Sequence, residues 1–224
     1  MSTAIDTQTA GKSPAYICGE CGRPFETSHL LRTLLPLLVP QRCSACASRP
    51  PRPARPPAIE DVLDGPARGP GTGVFVAAVC YPDPGPGAWA AVRVVNGAVL
   101  RESAAAEPWT TAARMGLRAL IEGLRLFGPR EPLTLYAEDR AAVMTLREWG
   151  PAWQRNGWRV RGGKGRPSNL DLVQEAVSLY QARVNARVEL ASPDAAATWS
   201  HYAHALAAWR LFEECETGTH REAG

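Results

Sequence analysis

The sequence predicts an α/β domain with a mixed sheet, preceded by a small cysteine-bearing module. Three observations carry this. Apolar, β-prone runs flank the turn signal "PDPGPG" in residues 74–92, as a hairpin requires. Asn96-Gly97 marks a second tight turn. Beyond it, helical stripes alternate with short β-prone runs, the pattern of a sheet covered by helices. Four of the six cysteines stand in two close pairs near the N-terminus.

The elements follow in order. Residues 74–80, 88–95 and 98–104 read as an antiparallel meander. "TTAARMGLRALIEGLRLF" then reads as a helix, capped by Thr110 or Thr111, with Leu117, Leu120, Ile121 and Leu124 as its apolar stripe. "LTLYAE" at 133–138 is a strand, and a helix runs through "RAAVMTLREW". Ser168 or Asn169 caps the next helix, where Leu170, Val173, Val177 and Tyr180 share a face. "RVEL" at 187–190 is a last strand. A final helix carries Tyr202, Leu206, Trp209 and Phe212. The order is βββαβααβα.

Composition divides the chain further. Residues 1–12 read as a disordered tail, 13–48 as the cysteine module, 49–73 as a Pro/Gly-rich linker, 74–213 as the main domain and 214–224 as a fraying tail. In the linker, Arg49, Arg52 and Arg55 read as solvated charge or as phosphate contacts. The chain has 224 residues, 45% of them hydrophobic and 21% charged, which fits a globular protein. A net charge of +3 argues only weakly for a polyanionic partner. No run reaches the ~18 apolar residues of a membrane span. The N-terminus lacks the apolar core of a secretory signal, so a cytoplasmic location is expected. The wealth of Ala, Arg and Pro suggests a GC-rich bacterial genome.

Cys18-x2-Cys21 and Cys43-x2-Cys46 are separated by 21 residues. Each pair can turn two thiolates toward one ion, and two pairs complete a tetrahedral shell. Cys18, Cys21, Cys43 and Cys46 are therefore the expected ligands of a structural zinc ion. A redox dithiol is the alternative, and His29 is a possible substitute ligand. The intervening "HLLRTLLPLLVPQR" holds six leucines, more than so small a module buries easily. They pack in its core, dock on the main domain, or bind a protein partner.

Residues 149–169, "WGPAWQRNGWRVRGGKGRPSN", combine Trp149, Trp153 and Trp158 with Arg155, Arg159, Arg161, Lys164 and Arg166, and contain no acid. Basic side chains neutralise phosphate, and aromatic faces pack on sugars or bases. The alternative is a set of core tryptophans beside solvated charge.

Taken together, "PGPGAWAAV", "TTAARMGLRALIEGL", "LTLYAED", "REWGPAWQRNGWR" and "RPSNLDLVQEA" resemble the ordered motifs of type 1 ribonuclease H. The similarity spans about residues 74–210. It implies the ribonuclease H-like fold, with nucleic acid (RNA–DNA hybrid or duplex) as partner. The basic segment matches the family's duplex-gripping protrusion, and Asn169 matches a polar residue near the substrate. Both asparagines of the family's "TTNN" have become Ala112 and Ala113.

The resemblance also implies four carboxylates holding two Mg2+ ions for in-line hydrolysis. Carried over, the first falls on Ala77 and the second on Gly116. The third falls on Glu138, with Asp139 one step on, and the fourth near Ser200 or His201. The family's histidine loop has no counterpart in "LASPDAAATW". Asp171 matches a position that is not a metal ligand. One acidic position of four survives, so the expectation is a nucleic-acid-binding pseudoenzyme. Two alternatives stand beside it. Cleavage with Mg or Mn would use Glu138, Asp139 and recruited acids such as Asp83 or Asp194. An adaptor would act through the leucine-rich module.

Overall fold

A computed structural model describes residues 16–17, 24–25, 69–128, 130–160, 165–191 and 197–221. The chain divides into two compact units, residues 1–49 and 50–224. In the first, strands β1 (Tyr16–Ile17) and β2 (Pro24–Phe25) pair antiparallel. Cys18, Cys21, Cys43 and Cys46 lie outside the described residues.

The second unit is built on a five-stranded sheet. Strands β3 (Gly73–Cys80), β4 (Gly85–Val95) and β5 (Ala98–Thr110) form the meander. Asn96 and Gly97 turn the second hairpin with φ of 51° and 78°, the positive values such a turn demands. Strand β5 runs to Thr110, past the expected end at residue 104. "AAEPWT" carries little β-propensity, but pairing with β4 holds it extended, Gly87 opposite Glu107 and Gly85 opposite Thr110. Strands β6 (Leu133–Ala137) and β7 (Ala186–Leu190) add in parallel, giving the order β5-β4-β3-β6-β7.

Alternation along β3 splits the core between the two sheet faces. Val74 and Val76 pack with Met115, Leu120 and Leu124 of α1 (Ala112–Arg125). Phe75 and Ala77 pack with Trp199, Tyr202 and Ala203 of α5 (Ala197–Arg221). The latter helix continues past residue 213, where a tail was expected. Thr111 caps α1, its hydroxyl accepting from the Arg114 amide at 3.3 Å. Gly123 lets α1 lie close on the sheet: a Cβ there would stand 2.7 Å from Val76 and 2.8 Å from Leu135.

After β6 the expected single helix is three pieces. Helix α2 (Arg140–Met144) passes through a π-helical turn (Thr145–Trp149) into α3 (Gly150–Arg155). Gly150 sits against Val177 of α4 (Leu170–Gln181), where any Cβ would overlap the valine. The π-turn thus carries the chain from α2 into α3, which opens the basic segment.

Candidate functional site

The C-terminal ends of β3 and β6 meet the first turns of α1 and α2, and the chain ends there surround a cleft of 170 Å³. Ala77, Gly116, Glu138 and Asp139 all line it. The sheet and α1 thus bring together three of the sequence-derived site positions. Ala77 offers only a methyl group and is 3% exposed.

Gly116 is closed off by its neighbour. A Cβ on Gly116 would stand 2.5 Å from Asp139 Oδ2. The Asp139 carboxylate therefore occupies the space in which a side chain at 116 would begin. Its other oxygen, Oδ1, accepts from the amides of Ala141 at 2.8 Å and Ala142 at 3.2 Å, capping α2. Both amides are free donors of a helix N-terminus, so the charge sits where the helix dipole favours it.

Glu138 turns the other way. Its Oε2 lies 3.2 Å from Nδ1 of His204 on α5. The hydrogen bond to this carboxylate raises the His204 pKa, against the opposing effect of burial. Sequence reasoning placed the α5 contribution at Ser200 or His201. Ser200 is buried with an unpartnered Oγ, and His201 is exposed. His204 lies one turn further along, on the neighbouring helical position of both. That spacing was the available signal.

The other acids are spread out. Asp83 Oδ1 accepts from the Ala112 amide at 3.2 Å, at the start of α1. Asp171 forms a two-pronged bond with Arg114, 2.9 and 3.3 Å, and this partner holds its carboxyl below the usual carboxylate range. Asp194 lies outside the described residues. Among the described residues no three His, Cys, Asp or Glu side chains converge as a metal site.

A second cavity of 390 Å³ adjoins the first and shares Asp139 and Ala142 with it. Trp153, Val160, Arg166 and Asn169 line its far side. Trp153 and Trp158 are half-buried against the core, which fits the core-anchor reading of these rings. Trp149 is 41% exposed, its ring centroid 6.1 Å from that of Trp153. The end of α3 is fixed by the Trp158 amide, which donates to Trp153 O at 2.6 Å, and by Asn156 Nδ2, which donates to Arg159 O at 3.1 Å. Arg155, Arg159 and Arg166 are exposed and make no ion pair among the described residues. Asn169 precedes α4 in the left-handed region, φ 54°, without a side-chain capping bond. Arg161 and Lys164 lie outside the described residues.

No family model matches the chain. It is 35% identical over 111 residues to the ribonuclease H of Chlorobium chlorochromatii, covering 48% of this chain and 73% of that protein. The chain belongs to the ribonuclease H family. A second member, from Symbiobacterium thermophilum, is 37% identical over 103 residues, covering 46% of this chain and 69% of that protein. The fold is likewise similar to a foamy viral protease–reverse transcriptase solved in complex with dsDNA. That likeness has a TM-score of 0.57 and 11% identity, over 64% of this chain and 95% of that one. A foamy viral protease–reverse transcriptase in complex with RNA/DNA hybrid gives a TM-score of 0.56 and 12% identity. It matches over 66% of this chain but only 21% of that one. Within the ribonuclease H family, this chain carries Ala77 and Gly116 where the motifs lead one to expect acids.

Proposed function

We propose that this chain binds RNA–DNA hybrid or another nucleic-acid duplex without cleaving it. The observation that carries the reading is the Gly116–Asp139 contact: the Asp139 carboxylate fills the missing side chain's space and caps α2. The residues present do not fit a pair of Mg2+ ions. Ala77 and Gly116 have no ligand atom, one Asp139 oxygen is held by two amides, and Glu138 faces His204. Binding is assigned to Arg155, Arg159, Arg161, Lys164 and Arg166, with Trp153 and Asn169 beside them. The exposure and unpaired charge of the three described arginines support this. A structural zinc ion held by Cys18, Cys21, Cys43 and Cys46 completes the proposal. Equimolar zinc in the purified protein, lost on thiol alkylation under denaturing conditions, checks it.

The decisive experiment titrates labelled hybrid, dsDNA, dsRNA and single strands, then adds Mg2+ or Mn2+. Binding without cutting is expected. Metal-dependent cutting abolished by Glu138→Ala would replace this reading by that of an active nuclease. The adjacency of Glu138 and Asp139 at one cleft favours that second reading.

A further inference from the structure

Strand β5 is an edge of the five-stranded sheet and is 13 residues long. Its outer backbone groups are unpaired by any strand among the described residues. An edge of this length invites pairing unless its sequence prevents it. Two irregularities interrupt it. The register with β4 shifts between the partners of Arg93 and Val94, at Leu100, and between those of Gly85 and Gly87, at Pro108 and Trp109. Between them, residues 101–107 run in regular register.

That segment, "RESAAAE", is complementary to itself when reversed about Ala104. Arg101 then faces Glu107, Glu102 faces Ala106, and Ser103 faces Ala105. Arg101 and Glu107 lie on the same sheet face, because their β4 partners Arg93 and Gly87 both face α1. Arg101 is exposed and makes no ion pair among the described residues. Glu107 stands 3.5 Å from Arg118 through one oxygen and keeps 30% of its side chain exposed. The irregular steps are placed symmetrically as well. In the reversed register Leu100 meets Pro108, and Trp109 meets Val99. Leu100 is 62% and Trp109 73% exposed, the two largest apolar exposures on this strand.

We propose that two copies of this chain associate by antiparallel pairing of their β5 edges about Ala104, joining two sheets into one. The alanines at the centre let the backbones approach, and the Arg101–Glu107 pair, made twice by symmetry, fixes the register. Pro108 and the bulges confine the pairing to the regular segment, and because each copy's β5 edge is used up in this two-fold contact, association stops at two copies.

The test uses the full chain, nuclease-treated, in sedimentation velocity across the micromolar range. A monomer–dimer equilibrium is expected. Arg101→Glu and Glu107→Arg should each weaken self-association about tenfold or more, by opposing like charges twice. An equimolar mixture of the two variants should restore it, because every facing pair in the mixed dimer is then of opposite charge. Thermal melts verify that both variants fold. Independently, Ala104→Cys should, on oxidation, give a disulfide joining position 104 of one copy to position 104 of the other. Opposed residues of paired strands stand about 4.5–5.5 Å apart between Cα atoms, within the reach of such a bond. Peptide mapping locates the linkage and separates it from any made by the native cysteines. Val184→Cys, on an exposed loop, should form none. A monomer at every concentration, a mixture no tighter than either variant, association removed by nuclease, or no disulfide between the two introduced thiols would each overturn the proposal.

Discussion

At the scale of single residues the cleft turns on a contact between a missing side chain and a charged one. Replacing Gly116 by Ala improves helix propensity by up to about 1 kcal/mol. The new methyl, however, meets Asp139 Oδ2, and Asp139 cannot swing aside without losing two capping bonds. Overpacking costs about 1–3 kcal/mol, so Gly116→Ala is expected to destabilise in denaturant titrations. Asp139→Ala removes the cap and costs about 1 kcal/mol. In that background Gly116→Ala should become stabilising, a coupling that a double-mutant cycle reads directly. His204 supplies a pH-dependent counterpart. Its pKa is raised in the folded state by Glu138. The stabilisation is therefore complete below the ordinary histidine pKa of ~6.5 and is lost as pH rises through the raised value. Both side chains are more than a third exposed, so solvent keeps the effect small. Melting temperatures of wild type and His204→Gln should converge above that range and diverge below it. The sequence showed Ala77 and Gly116 by their place in motifs. It did not show His204, because the loop before α5 carries no motif that fixes the helix register.

Elements separate what local pattern determines from what packing determines. Helix α1 was legible because its stripe and threonine cap are written in adjacent residues. The Asn96-Gly97 turn was legible for the same reason. The full length of β5 was not, since Ala105, Ala106 and Pro108 read as loop until β4 lies beside them. Nor was the π-turn, which has no compositional signature and depends on how α3 meets α4. Gly150 is the hinge of that arrangement. A methyl there would press on Val177 and stand 2.6 Å from the Thr145 carbonyl oxygen, a backbone atom that cannot yield cheaply. Gly150→Ala is expected to cost about 1–3 kcal/mol. It should also weaken duplex binding by tilting α3, and with it Arg155, away from the cavity lined by Trp153 and Asn169. Calorimetry and binding isotherms on the same preparation check both.

Across the whole molecule, the cleft at the sheet end adjoins the cavity lined by Arg166, the two sharing Asp139 and Ala142. On the proposed function, affinity for duplex should fall steeply with salt. Each of Arg155→Ala, Arg159→Ala and Arg166→Ala should lower the log–log salt slope by about 1, without changing preference among sequences. A flat salt dependence would count against phosphate contacts. The order of motifs along the chain sufficed to foresee the mixed sheet and which segments surround the cleft. Their closeness was not foreseeable, since it depends on side-chain positions of a few tenths of an ångström.

The seat of Asp139 against bare α1 backbone orders the substitutions by which an acid could be introduced at 116. A glutamate introduced at 116 alone would begin in space that the Asp139 carboxylate fills, at a cost in stability. The residue at 139 must first shrink to one that still caps α2, such as serine, before an acid at 116 is tolerated. The two positions thus act as one unit: a side chain at 116 has room only when the residue at 139 changes with it.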